Sequence, residues 1–248
     1  MSPLITIIVP VYNREEYVGA CLDSLEEQTY KNIEIIAVDN ESTDKSYSVL
    51  ESFKKSSERE VIISEAKNVF PNTYEECVKE GASLMSGEFF TIMGSDDLVS
   101  KHYIDNNIKY LASLRKAEEK VLAWQSPIRG IDASSHLNGR DVGHTYKTLE
   151  EFKAKLLTHS PVCTPSVFLR KDIEKNNIID RESETYGGAG DYHGWCSLAD
   201  QKIFIYPCSE FTGYYYRWHE KQATWNVHKE PQDYDKMISE KWSKKWKI

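Results

Sequence analysis

Residues 88–99 read EFFTIMGSDDLV: an apolar, aromatic run, a glycine, two adjacent carboxylates, then apolar residues again. A run of that kind is the pattern of a strand covered on both faces. Asp96 and Asp97 at its end are the difficulty, because neighbouring like charges repel and burying them unpaired is costly. Either the pair stands in a solvated turn or caps the helix that follows, or a cation sits against it.

The flanking sequence repeats the same unit. LITIIVPVY (4–12), IEIIAVD (33–39) and EVIISE (60–65) are further buried strands. Between them, NREEYVGACLDSLEEQ (13–28) carries a helical stripe of Tyr17, Val18, Cys21, Leu22 and Leu25, and DKSYSVLESFKKSS (44–57) is a second helix. A third helix is expected from Pro71 to Met85, with Pro71 in its first turn, and a long one over 102–120. Strands alternating with helices imply βαβ units and a largely parallel sheet. In such sheets ligands bind beyond the carboxyl ends of the strands. Tyr12 and Asn13, Asp39 and Asn40, and Asp96 and Asp97 all stand at such ends, so separate strands deliver polar groups to one edge.

Beyond about residue 120 the alternation weakens. VLAWQSPIRGI (121–131) reads as one strand leading into an irregular stretch over 130–146. A helix over 148–159 and a short strand in TPSVFLR (164–170) follow, then a glycine-rich loop running into a helix within 182–201. Strands are expected in KIFIYP (202–207) and GYYYRWH (213–219), where Tyr214–Tyr216 read as strand packing. The tail from Pro231 is a polar helix whose Trp242 and Trp246 dock it on the body. His136, His144, His159, His193 and His228 have no ligand spacing.

A formal charge of −8 argues against nucleic acid or an acidic membrane as the main partner. The first apolar run is too short for a signal peptide or a membrane span, and no other stretch reaches spanning length. Five cysteines, an odd number without close spacing, read as reduced thiols, and a cytoplasmic location is expected.

VPVYN (9–13), VDNESTDKS (38–46), LMSGEFFTIMGSDD (84–97), TPSVFLR, GAGDYHGWCSLA (188–199) and YYYRWH (214–219) together resemble, in order and spacing, the family 2 glycosyltransferases. The resemblance runs from residue 4 to about 220. It implies the GT-A fold, a Rossmann-like mixed sheet flanked by helices, in a single domain over 1–248. Residues 1–120 would form the nucleotide-sugar half, and 121–248 the acceptor half with the helical tail.

By the same resemblance, Asp97 is the direct ligand of Mn²⁺ or Mg²⁺, and Asp96 faces the ribose or a metal-bound water. His219 completes the metal shell. The cation would offset the repulsion between the two carboxylates and neutralise a departing diphosphate. Asp39 would accept a hydrogen bond from a pyrimidine N–H, which favours UDP, then dTDP. Tyr12 would stack on the base, Pro10 shape the backbone under it, and Asn13 line the same turn. Asp191, at a helix start that would lower its pKa, is the expected base for a hydroxyl acceptor in an inverting transfer. The setting implied is cell-surface polysaccharide or glycan synthesis, and the alternative is a degenerate module that binds donor or glycan without turnover. Asn40, Glu41, Gly94 and Gly190 depart from the family's usual residues.

Overall fold

The structure, a computed structural model, describes residues 2–69, 73–118, 120–176, 179–222 and 233–247. Its centre is a mixed sheet. Strands β1 (Ile5–Val11), β2 (Ile33–Asp39) and β3 (Glu60–Glu65) run parallel, and β4 (Phe89–Ile92) joins β1 on its other side, also parallel. The chain thus turns back across β1, and the crevice between β1 and β4 is the point where strand order reverses.

The outer half is less regular. A two-residue strand β5 (Leu98–Val99) follows β4, then β6 (Ala123–Gln125), β7 (Ile128–Ile131) and β8 (Leu137–Val142). After β9 (Val167–Arg170) come β10 (Ile205–Pro207) and β11 (Tyr214–Arg217). The large sheet has the order β10-β6-β9-β4-β1-β2-β3, with β9 antiparallel to both neighbours, and a small sheet has the order β5-β11-β7-β8.

Two expectations fail here. VLAWQSPIRGI is two strands in two sheets, broken at Ser126 and Pro127, where proline has no N–H for a ladder. The irregular stretch over 130–146 contains β8, whose residues are all exposed and so carry no hydrophobic pattern.

Helices cover both faces because successive side chains of a strand point to opposite sides. Ile5, Ile7 and Val9 pack against α1 (Val18–Glu26), α2 (Ser46–Ser56) and α4 (Tyr103–Ala117) through Val18, Cys21, Leu22, Leu50, Phe53 and Leu111. Ile8, Ile36 and Val38 face the other layer. That layer is α3 (Thr73–Leu84), α5 (Leu149–Leu156), α6 (Lys171–Lys175), α7 (Ser183–Tyr186), α8 (Gly190–Asp200) and α9 (Tyr234–Trp246). Pro71 and His228 lie outside the described residues. Trp242 and Ile238 of α9 are buried against α8, and the Trp246 indole donates to Asp200 at 3.0 Å. Among the described residues no helix is long and apolar enough to cross a membrane.

Candidate active site

The register Val11↔Asp39 brings the ends of β1 and β2 side by side. Pro10, half-buried, pairs with Val38, and Tyr12 just beyond the strand is 45% exposed. Asp39 is buried. Its Oδ2 accepts from the Ser42 N–H at 2.9 Å, while its Oδ1 has no partner among the described residues. A buried carboxylate oxygen left unpaired is costly, so it marks a place for a donor from outside the chain. Asn13 has φ 49°, and its side-chain oxygen accepts from the Thr43 N–H at 2.8 Å. It therefore holds the loop after β2 in place.

Asn40 and Glu41 both take part in holding that loop. Asn40 donates from its amide to Ala66 O at 3.1 Å. Glu41 sits at φ 58°, the region where glycine is cheapest, and its carboxylate accepts from the Asn68 N–H at 3.1 Å.

Asp96 and Asp97 face different ways. Asp97 is 2% exposed; its Oδ2 shares a 2.6 Å hydrogen bond with the Tyr214 hydroxyl, and its Oδ1 accepts from the Arg217 N–H at 2.8 Å. Burial, and then the charge on Asp96, push its carboxyl well above the usual carboxylate range. Asp96 is half-buried and lies on the open side. Its Oδ2 is 2.8 Å from His219 Nε2 and 3.1 Å from Arg14 Nε. Burial raises its pKa, but the His219 hydrogen bond and the Arg14 charge outweigh that and hold it below the usual range. The doublet is thus tolerated by splitting it, one carboxyl sunk on Tyr214 and the other ionised against Arg14 and His219. A Cβ at Gly94 would stand 2.7 Å from Asp97 Oδ2 and 3.0 Å from Asp96 Oδ1, so a third aspartate at position 94 does not fit this arrangement.

Arg14 and Arg217 frame the pair. Arg14 also donates to Tyr12 O, Asn13 O and Lys221 O, tying the end of β1 to the segment after β11. Arg217 donates to Asp96 O and to Asp132 O and Ala133 O. The His219 ring packs on Tyr17 at 4.7 Å.

Asp191, in the first turn of α8, accepts from the Thr164 hydroxyl at 2.6 Å through Oδ2 and from the Tyr192 N–H at 2.7 Å through Oδ1. The Trp195 indole holds Thr164 from behind at 3.2 Å. Here the sequence expectation is reversed in sign. Burial raises the Asp191 pKa and outweighs the two hydrogen bonds and nearby Arg181, so the helix start does not lower it. Gly190 is packed too: a Cβ there would lie 3.0 Å from Arg181 O and 3.0 Å from Ser183 Oγ.

A second acidic group, Asp180, Glu182 and His193, has ligand atoms within 4.8 Å of one another. It already holds a cation, the Lys241 ammonium, 2.6 Å from Glu182 Oε1 and 3.0 Å from His193 Nε2.

Sequence reasoning missed Arg14, Tyr214 and Arg217. Arg14 reads as an ordinary charge before a helix, and Tyr214 as one member of a strand's aromatic run. In Arg217 the contact with Asp97 is made by the backbone N–H, which has no residue signature.

Residues 6–176 match the family model described as Glycosyl transferase family 2. An uncharacterized glycosyltransferase of Haemophilus influenzae is 30% identical over 208 residues, covering 79% of this chain and 60% of the relative. S. aureus TarS 1–349, solved in complex with UDP-GlcNAc, superposes with a TM-score of 0.65 at 20% identity, over 92% of this chain and 61% of that one. The mannosyltransferase PcManGT of Pyrobaculum calidifontis, solved with GDP-Man and Mn²⁺, gives 0.56 at 20% identity, over 86% and 56%. The chain spans about 60% of the length of these relatives. Its architecture is the GT-A fold that the motifs imply, and by the family match together with the motifs at its strand ends, the chain belongs to glycosyl transferase family 2.

Proposed function

We propose that the chain transfers a sugar, with inversion, from a nucleoside diphosphate donor to a hydroxyl of a glycan acceptor. UDP is the first choice of nucleotide and dTDP the second. The observation that carries this is the unpaired, buried Oδ1 of Asp39 beside the exposed ring of Tyr12. A carboxylate oxygen placed there accepts an N–H such as uracil N3–H, and the tyrosine face takes the base by stacking. Cytosine, whose N3 is an acceptor, would leave the oxygen unsatisfied.

Asp96 and His219 would hold a divalent cation, Mn²⁺ or Mg²⁺, which when bound offsets the charge of the diphosphate leaving group. The donor types suit such an ion, a carboxylate and an imidazole nitrogen; they are hydrogen-bonded to each other at 2.8 Å, and a bound cation would replace that hydrogen bond and the contact of the same oxygen with Arg14. Relative to the sequence expectation, the proposed direct ligand moves from Asp97 to Asp96. Asp97 has both oxygens engaged inward and fixes the β4–β11 junction, so Asp96 is the better ligand. Arg14 keeps the Asp96 carboxylate ionised and aimed. Asp191, braced by Thr164 and the Tyr192 N–H, would take the proton of the attacking hydroxyl, its raised pKa strengthening it as a base. Cell-surface polysaccharide or glycan synthesis is the setting we favour for such a reaction.

UDP binding by titration calorimetry, with and without Mn²⁺, tests the assignment. Asp39→Asn should weaken UDP binding roughly 10- to 100-fold, the worth of a charge-assisted hydrogen bond. Asp96→Ala should abolish the metal dependence. Binding indifferent to both substitutions would sink the proposal.

A further inference from the structure

The C-terminal helix meets the segment that carries Asp191 through a compact polar catch. Lys241 of α9 donates to Glu182 Oε1 and to His193 Nε2. An ammonium has only donors, so His193 Nε2 is the acceptor and Nδ1 carries the proton, which it donates to Asp180 O at 3.0 Å. Burial and Lys241 hold the imidazole below its ordinary pKa, in keeping with that neutral form. The ring is stacked on Tyr186 at 4.8 Å and tilted against Trp242 at 5.3 Å, and the Lys241 ammonium lies 5.5 Å from the Tyr186 ring.

The two residues that Lys241 grips bracket Asp191 in the chain. Glu182 sits at φ 41°, a left-handed conformation that costs a non-glycine residue energy and persists only where the surroundings hold it. Gly187, at φ 50°, makes the next turn, and Gly190 then packs on Arg181 O with no room to spare. Within the segment, Arg181 forms a buried two-pronged ion pair with Glu174 of α6, at 2.8 and 3.0 Å. One strained turn therefore leads from the catch to the carboxyl that Thr164 braces.

We infer that Lys241 is a positioning residue for Asp191: by tying Glu182 and His193 to α9, it sets the strained turn that presents the carboxyl on Thr164. This rests on the role proposed above for Asp191. The charged and titratable groups around Asp191 are Arg181 with Glu174, Tyr74 from α3 and Asp235 from α9; around the catch they are Asp180, Glu182, His193 and Tyr186.

The test is a carboxyl ¹³C NMR titration of Asp191 in the full chain labelled at aspartate, with the resonance assigned by Asp191→Asn. Lys241→Met should release the turn, admit water, and drop the Asp191 midpoint toward the ordinary carboxylate value. Lys241→Arg should restore it. Glu182→Gln, which spares the lysine and its packing, should move the midpoint the same way. An unmoved midpoint in Lys241→Met and Glu182→Gln overturns the inference. So does a rise in Lys241→Met, which would mean Lys241 acts on Asp191 only as a through-space charge. UDP binding with Mn²⁺ should be unchanged in the Lys241 and Glu182 variants, and altered binding would also count against a role confined to Asp191. Transfer that survives Asp191→Asn would refute the base assignment while leaving the titration to decide the catch.

Discussion

Glu34→Gln probes the end of the sheet opposite the site. Glu34 is 1% exposed in β2, and its carboxylate accepts from the Thr6 hydroxyl, the Ser86 N–H and hydroxyl, and the Gly87 N–H. It therefore ties β1, β2 and the turn into β4 together. Glutamine keeps the volume and one acceptor oxygen, but it loses the charge and turns an NH₂ toward the Ser86 hydroxyl. Hydrogen bonds to charged groups are worth roughly 1.5–3 kcal/mol against 0.5–1.5 for neutral ones, so each contact weakens by about 1 kcal/mol. Relief of the buried charge offsets part of that, leaving a net loss of about 2–3 kcal/mol, or roughly 5–10 °C in Tm at this chain length. The pH dependence has a definite sign. Burial raises the Glu34 pKa, but the hydrogen bonds from Ser86, Thr6 and Gly87 outweigh it and the net shift is downward. A lowered folded pKa contributes stability above the unfolded value of about 4.3, and that stability is lost as pH falls through the folded pKa. Thermal melts of wild type and Glu34→Gln at pH 7 and pH 3, with UDP titrations alongside, decide it. The gap should be wide at pH 7 and narrow at pH 3, with UDP binding unchanged. An equal gap at both values, or one under about 2 °C at pH 7, would refute the charge-assisted account.

Gly94→Ala would push a methyl group against Asp96 and Asp97, and should weaken metal-dependent UDP binding more than about tenfold by calorimetry. Glu41→Gly relieves the left-handed strain but gives up the Asn68 contact and loosens the unfolded chain, so urea melts should show a change within about 1 kcal/mol. Because burial raises the Asp191 pKa, the acidic limb of a transfer pH profile should lie above the usual carboxylate range. The stability sign runs with it: the raised value favours the protonated native state at low pH, and that contribution fades as pH rises through the folded pKa. Wild type minus Asp191→Asn in acid and neutral melts checks this.

What the sequence disclosed, and what it hid, divides along physical lines. The placement of Asp39 and Asp96 at or just past the ends of apolar strands was legible because buried parallel strands announce themselves as apolar runs. The strand β8 was illegible because none of its residues is buried, so no periodicity was imposed on it. Pairings made by backbone groups, such as Arg217 N–H on Asp97, leave no residue signature at all. The unequal burial of the two aspartates is a third case, set by a turn that the apolar pattern does not report. From Thr91 to Val99 burial alternates strictly, with Thr91, Met93, Ser95, Asp97 and Val99 buried and Ile92, Gly94, Asp96 and Leu98 more exposed. The alternation is not that of one strand: β4 and β5 are separated by a turn at Ser95 and Asp96, closed by the Asp97 N–H on Gly94 O at 3.1 Å. Met93 and Val99 are buried on either side of that turn, and Asp97 is buried with them while Asp96 is more exposed. The small sheet, through Tyr214 and Arg217 of β11, supplies the hydrogen bonds that let an aspartate occupy a buried position. Sinking one carboxyl is what leaves its neighbour on the open side beside His219 and Arg14.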